Sequence, residues 1–385
     1  MRRARPLLIV GALATLALGL MGQGSASPDT TTTSSSTTTT SSSTTSTTAV
    51  TTTTIPVTPY GVGLATCTFV DRTRPLPDYE TKPPSELAPD RTLVTEIRYP
   101  TPAVTTNPAG VRGARPAART GGFPLVVFAH GYDVTPETYE RLLGAWVRAG
   151  FVVAAPILPE ASPQGIAEQP GVDTERDMPN EPADLAFVIH QVVGDSVARS
   201  RACSVLAGLV DGSAVAVAGH SDGAEVVAAL VASKGRDPQH VTFASLRASL
   251  NLRAAIVMEG GELSPGPYGP SRSDPPTMVI QSAADRCNAP WQSTHFYASL
   301  GSDERWFVEL LHAHHLPPYD ATDPVDFRVV AAVTTEFLRL ELDQEVTVAQ
   351  LTSLGGASPG LARIFHDVAV PYIAAPKGPI YCGVN

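Results

Sequence analysis

The pentapeptide Gly219-His220-Ser221-Asp222-Gly223 limits what this chain can fold into more than any other stretch. Ahead of it runs Ala214-Val215-Ala216-Val217-Ala218, small and β-branched residues that suit a buried strand. Behind it runs Ala224-Glu225-Val226-Val227-Ala228-Ala229-Leu230, which reads as a helix. Strand, G-x-S-x-G and helix in succession form a nucleophile elbow. The serine occupies a turn too tight for relaxed backbone, and its hydroxyl projects from the top of a sheet. The flanking glycines are required where a Cβ would collide with the adjoining strand and helix. The helix N-terminus carries a partial positive charge, which favours an oxyanion forming there. An ordinary Gly-rich turn accounts for the pentapeptide alone but not for its two neighbours.

The rest of the chain supplies a sheet for that elbow. Residues 124–129 and 151–155 are continuous apolar runs, as expected for strands buried on both faces of a parallel sheet. Between them Thr135 is the expected cap of a helix with Pro136 at its first position. Tyr139, Leu142, Leu143, Trp146 and Val147 share one face of that helix, and Gly150 ends it. Two strands come earlier, at 63–70 and 91–99, with Leu93, Thr95, Ile97 and Tyr99 on one face of the second. Later strands are predicted at 254–258, 277–281 and 305–311, and helices at 181–193, 290–300 and from Asp323-Pro324 to about 340. Strands alternating with helices define an α/β class with a mostly parallel sheet and helices on both faces. After residue 340 the short apolar pieces follow no assignable period.

A serine hydroxyl is a weak nucleophile. It needs a base, the base needs an orienting acid, and the oxyanion needs donors. In an elbow fold these follow in the chain order serine, acid, histidine. The strand ending at Gln281 leads into Ser282-Ala283-Ala284-Asp285, which makes Asp285 the candidate acid. Asp274, Asp303 and Glu304 flank strand starts and sit at the wrong edge. The next strand leads into His312-Ala313-His314-His315, where His315 is the candidate base and His314 the runner-up. The same histidines lack a Cys or carboxylate spaced to complete a metal site, so no metal and no cofactor are expected. The other six histidines read as structural, with His220 bracing the turn. Backbone N–H groups of Tyr132 and Asp222 are the candidate oxyanion donors.

The ends and cysteines point to export. Residues 1–26 read as a signal peptide: Arg2, Arg3 and Arg5, then an apolar stretch, then Gly24-Ser25-Ala26. Residues 27–58 form a Thr/Ser-rich linker that cannot bury apolar surface, leaving 59–385 as the catalytic domain. No later stretch is apolar enough to span a membrane. A formal charge of −10 without a basic cluster beyond the N-terminus argues against nucleic acid as a partner. Four cysteines, Cys67, Cys203, Cys287 and Cys382, allow three disulfide pairings.

Several segments together resemble the α/β-hydrolase superfamily. Within it the chain is similar to platelet-activating-factor acetylhydrolase-like, dienelactone-hydrolase-like, chlorophyllase and cutinase-like polyester hydrolase proteins. The matching residues are Arg91-Thr92-Leu93 with Glu96 to Pro100, His130-Gly131-Tyr132, Ala149 to Pro156, the pentapeptide, Ser282 to Asp285 with Ala289-Pro290, and His315. The resemblance implies an eight-stranded sheet and a carboxylic ester hydrolase. The cutinase-like members usually carry Met where this chain has Asp222, and often a platform Trp where it has Glu259-Gly260-Gly261-Glu262.

The leading expectation is thus a secreted serine ester hydrolase, esterase or lipase-like, acting through an acyl-enzyme on a small-molecule, lipid or polymer ester. A cutinase-like polyester hydrolase, amide or peptide hydrolysis by the same triad, and a non-catalytic surface binding module are the alternatives.

Overall fold

The computed structural model describes residues 59–77, 90–104, 107–199, 203–261, 267–269, 271 and 274–382. The expected signal peptide and Thr/Ser-rich linker lie outside the described residues.

Among the described residues, ten strands form one sheet: β1 (Gly61–Pro75), β2 (Asp90–Thr101), β3 (Val111–Arg112), β4 (Phe123–Ala129), β5 (Val152–Pro156), β6 (Val210–His220), β7 (Leu252–Met258), β8 (Thr277–Ser282), β9 (Arg305–Leu310) and β10 (Ala362–His366). Their spatial order is β10-β9-β8-β7-β6-β4-β5-β2-β1-β3. From β5 to β9 every pairing is parallel, while β2 meets β5, β1 meets β2 and β10 meets β9 antiparallel. The sheet therefore carries two more strands than the resemblance implies. One is β3, a two-residue piece beside β1. The other is β10, on the far edge, from the stretch that shows no assignable period.

The helices are α1 (Glu140–Arg148), α2 (Pro163–Glu168), α3 (Glu181–Ala198), α4 (Asp222–Ala232), α5 (Phe243–Ala248), α6 (Pro290–Ser299), α7 (Pro317–Asp320), α8 (Pro324–Leu338) and α9 (Val348–Ala357). The sheet's alternation explains where they pack. In β4, Leu125, Val127 and Ala129 join one core with α3, α4 and α6, whereas Val126 and Phe128 join a second with α1 and α8. Because successive side chains leave a strand on opposite faces, an apolar run such as 123–129 feeds both cores and must be covered on both sides. Across the second core, Trp146 Nε1 donates to Thr334 Oγ1 at 2.9 Å, linking α1 to α8.

Two details depart from the sequence reading. Thr135 does precede the helical segment, but its side chain caps nothing, and the chain enters through a 3₁₀ turn, Pro136–Tyr139. By contrast Asp323 caps α8 by accepting from the Val325 and Asp326 amides. The cysteines pair Cys67 with Cys203 and Cys287 with Cys382. The first bond ties β1 to the segment after α3. The second ties the loop after β8 to the tail beyond β10.

Candidate active site

The elbow is built by sterics. Ser221 has φ 57° and ψ −125°, a strained conformation for a residue with a side chain. It is held there from both sides: the Ser221 amide donates to the Met258 carbonyl at 2.9 Å, extending the β6–β7 ladder, and the Ser221 carbonyl accepts from Ala224 at 2.8 Å to open α4. Both glycines are obligatory. A Cβ on Gly219 would overlap the Gly223 carbonyl, and one on Gly223 would overlap the carbonyls of Ala129 and His130. Helix α4 thus crosses the end of β4 closer than any side chain permits.

The parallel strands β4, β6, β8 and β9 all point their carboxyl ends to one edge, and the candidate residues meet there. His315 Nε2 lies 2.9 Å from Ser221 Oγ, and His315 Nδ1 lies 2.8 Å from Asp285 Oδ2. Asp285 Oδ1 accepts from the amides of Cys287 at 2.7 Å and Asn288 at 3.1 Å. Burial works to raise the Asp285 pKa, but the hydrogen bond and charge of His315, then Glu259 and Cys287, hold it below the ordinary carboxylate value. An ionised Asp285 fixes the proton of His315 on Nδ1 and leaves Nε2 as acceptor for the serine hydroxyl. His314 is turned elsewhere, with Nδ1 3.1 Å from the Ala284 carbonyl, and His312 is exposed. Asp274 holds the amides of Ser271 and Gly301, and Glu304 meets His366 at 3.0 Å, both away from Ser221.

The His315 backbone is itself anchored. Gly131 N–H donates to the Tyr139 hydroxyl at 3.3 Å, Tyr139 O–H lies 2.9 Å from His220 Nδ1, and His220 Nε2 lies 2.9 Å from the His315 carbonyl. A carbonyl only accepts, so His220 carries its proton on Nε2 and Tyr139 donates to Nδ1. Burial, then the neighbouring His315, push the His220 pKa down to about 3, which keeps this ring neutral. His130 braces the adjacent loop in a similar way: Nδ1 donates to the Gly131 carbonyl at 2.7 Å while Nε2 accepts from the Leu158 amide at 2.9 Å. Burial lowers its pKa to about 4.

Tyr132 and Asp222, whose amides are the expected oxyanion donors, line the same cavity as Ser221. Asp222 opens α4, so its N–H has no carbonyl one turn back to bond within the helix. Gly131, the residue before Tyr132, packs so close that a Cβ there would lie 3.1 Å from Ser221 Cβ. The Tyr132 hydroxyl meets Thr174 Oγ1 at 3.0 Å across the cleft.

A cavity of about 720 Å³ opens over Ser221, His315 and Tyr132. One wall is the 3₁₀ turn Thr174–Asn180, and the Cys287–Cys382 bond forms part of another. Two buried arginines moor the first wall. Arg91 grips Asp184 through two nitrogens at 2.6 Å each and reaches Asp177 at 2.5 Å, while Arg74 bonds Asp184 and Asp71 at 2.7 Å each. Sequence reading missed this network because the bonds from Arg74 and Arg91 to Asp177 and Asp184 span 86 to 110 residues of the chain.

The resemblance places Glu259 at the substrate platform, but the residue is wholly buried behind the site. Its carboxyl accepts from Ser282 Oγ at 2.5 Å, Tyr319 O–H at 2.6 Å and Gln281 Nε2 at 2.8 Å. Burial, followed by the charge of Asp285, raises its pKa well above the usual range. Ligand atoms of Glu259, Asp285 and His315 lie within 4.8 Å of one another, yet each is committed to these hydrogen bonds. A cation there would have to break the Asp285–His315 contact.

Residues 91–249 match the chlorophyllase family. Among solved structures, the chain is similar to a ferulic acid esterase from Streptomyces cinnamoneus, at 17% identity and a TM-score of 0.56, covering 80% of this chain and 96% of the other. No curated protein matches. The chain has the α/β-hydrolase fold.

Proposed function

We propose that this protein is an exported serine ester hydrolase that works through Ser221, His315 and Asp285. Ser221 Oγ attacks the ester carbonyl while His315 Nε2 takes its proton, and Asp285 steadies the imidazolium. The amides of Tyr132 and Asp222 receive the oxyanion. The alcohol leaves with the proton from His315, and water, activated by the same ring, releases the acid from the acyl-enzyme. The single observation carrying this reading is the unbroken hydrogen-bonded path from Ser221 Oγ to Asp285 Oδ2 through one histidine. A binding module would have no use for a strained serine at the end of such a path.

Export is supported by two disulfides, which persist in oxidising surroundings. Among the described residues no helix is long and apolar enough to cross a membrane. The test is labelling with a fluorophosphonate, alongside hydrolysis of a short nitrophenyl ester. The expected result is labelling of Ser221 in the native protein, with both signals lost in Ser221→Ala. Native protein that is folded yet unlabelled, or a Ser221→Ala variant of near-full activity, would overturn the assignment.

A further inference from the structure

One half of the cleft is charged in a way that ester hydrolysis by the triad does not use. Its described lining holds five carboxyl groups, Asp133, Asp173, Glu175, Asp222 and Glu225, against one guanidinium, Arg176. Glu225 lies one turn into α4, with its amide 3.2 Å from the Ser221 carbonyl. Its side chain is wholly buried, and neither carboxyl oxygen has a hydrogen-bond partner among the described residues. A buried carboxyl without a donor is unfavourable and calls for a counterpart.

The neighbours make this worse. Burial, then Asp222 and Glu175, push the Glu225 pKa well above its ordinary value. Burial, then Glu175, raise Asp222 to about 7, and burial with Asp173 raises Glu175. The buried arginines behind the wall offer no relief, because Arg74 and Arg91 are taken by Asp71, Asp177 and Asp184. Those same bonds hold the wall that carries Glu175, so the carboxyls cannot spread apart. A cation seated beside them would let these carboxyls ionise without repelling one another, so the cluster is complementary to one.

We propose that this half of the cleft is a cation subsite: the ester that the protein hydrolyses carries an alkylammonium group, seated among Glu225, Asp222 and Glu175. The proposal rests on the ester-hydrolase reading and narrows its substrate class. Bound there, the cation turns mutual repulsion into attraction. A neutral aromatic polyester would leave the Glu225 carboxyl buried and unpaired.

The test compares each of two cationic esters with its uncharged carbon isostere. One is a choline ester, with the charge on the alcohol; the other is an ethyl trimethylammonio-alkanoate, with the charge on the acid. At least one cationic ester should exceed its isostere in kcat/KM by roughly tenfold or more. Glu225→Gln and Glu175→Gln should bring that ratio toward one by lowering kcat/KM for the cationic ester. Isosteres hydrolysed as well as both cationic esters, or a ratio unmoved in the double variant, would overturn the subsite and leave the hydrolase standing. If no ester is cleaved and Ser221 is not labelled, the hydrolase reading fails instead. Calorimetry with butylammonium then decides the subsite separately: binding lost in Glu225→Gln upholds it, and no binding to the native protein refutes it.

Discussion

The two disulfides offer a controlled comparison, because they close loops of similar length but only one adjoins Asp285, the proposed catalytic acid. Cys67–Cys203 spans 136 residues and Cys287–Cys382 spans 95. By loop-closure entropy these lengths are worth up to about 5.0 and 4.7 kcal/mol respectively. Replacing either pair by alanines should therefore lower Tm by a similar amount, on the order of 10 °C for a domain of this size. Activity should separate them. Cys287 donates its amide to Asp285 Oδ1 at 2.7 Å, and Asn288 donates at 3.1 Å from the same loop. A hydrogen bond to a charged group contributes about 1.5–3 kcal/mol. Loosening one of them in the reacting complex would lower kcat by about ten- to a hundredfold. The measurement is kcat for a short nitrophenyl ester, taken well below both transitions with folding checked by circular dichroism. The Cys287→Ala/Cys382→Ala variant should lose kcat, and the Cys67→Ala/Cys203→Ala variant should keep it. Equal losses, or full kcat in a folded variant lacking the Cys287–Cys382 bond, would refute the claim that this bond steadies the acid.

Three further outcomes follow from the geometry. His220→Phe leaves the Tyr139 O–H without an acceptor and the His315 carbonyl without a donor, so stability should fall by about 2–5 kcal/mol in denaturant titration and kcat should fall with it; unchanged kcat would show that His315 needs no such anchor. Gly223→Ala drives a methyl into the Ala129 and His130 carbonyls, and the expected loss is about 3 kcal/mol or more, or failure to fold, in thermal melts. Asp222→Asn probes pH. Burial and Glu175 raise the Asp222 pKa to about 7, whereas the unfolded chain releases this proton near pH 4. Stability is therefore lost as pH rises between those values and stays lower above them, by roughly 2–4 kcal/mol. The variant should flatten that slope and melt higher at pH 8; an unaltered slope in Tm against pH would contradict the shift.

Much of the architecture could be read from the chain because its parallel strands are buried on both faces. Runs such as 124–129 and 254–258 need no partner information to be recognised. The chain order of an elbow fold then indicated where to look for an acid and a histidine, at the ends of β8 and β9. What escaped had weaker local signals. Strand β10 lies at an edge with only Ala362 fully buried, so it shows no apolar run. Helices α2, α5 and α7 have four to six residues, too few to display a helical period. Glu259 sits at a positive φ of 57° behind Asp285, and nothing in its own neighbourhood distinguishes an inward carboxyl from a cleft-lining one. The arginine network reaches Asp177 and Asp184 only through contacts distant in sequence.

The anchor beneath His315 carries an evolutionary consequence. Tyr139 and His220 are 81 residues apart, and His220 and His315 are 95 apart, yet the Tyr139 O–H donates to His220 and His220 in turn donates to the His315 carbonyl. Losing one strands a buried polar atom on another, so drift cannot proceed one position at a time. Descendants of this chain should inherit the phenol and the imidazole together or exchange both for an apolar filling, and mixed intermediates should be scarce.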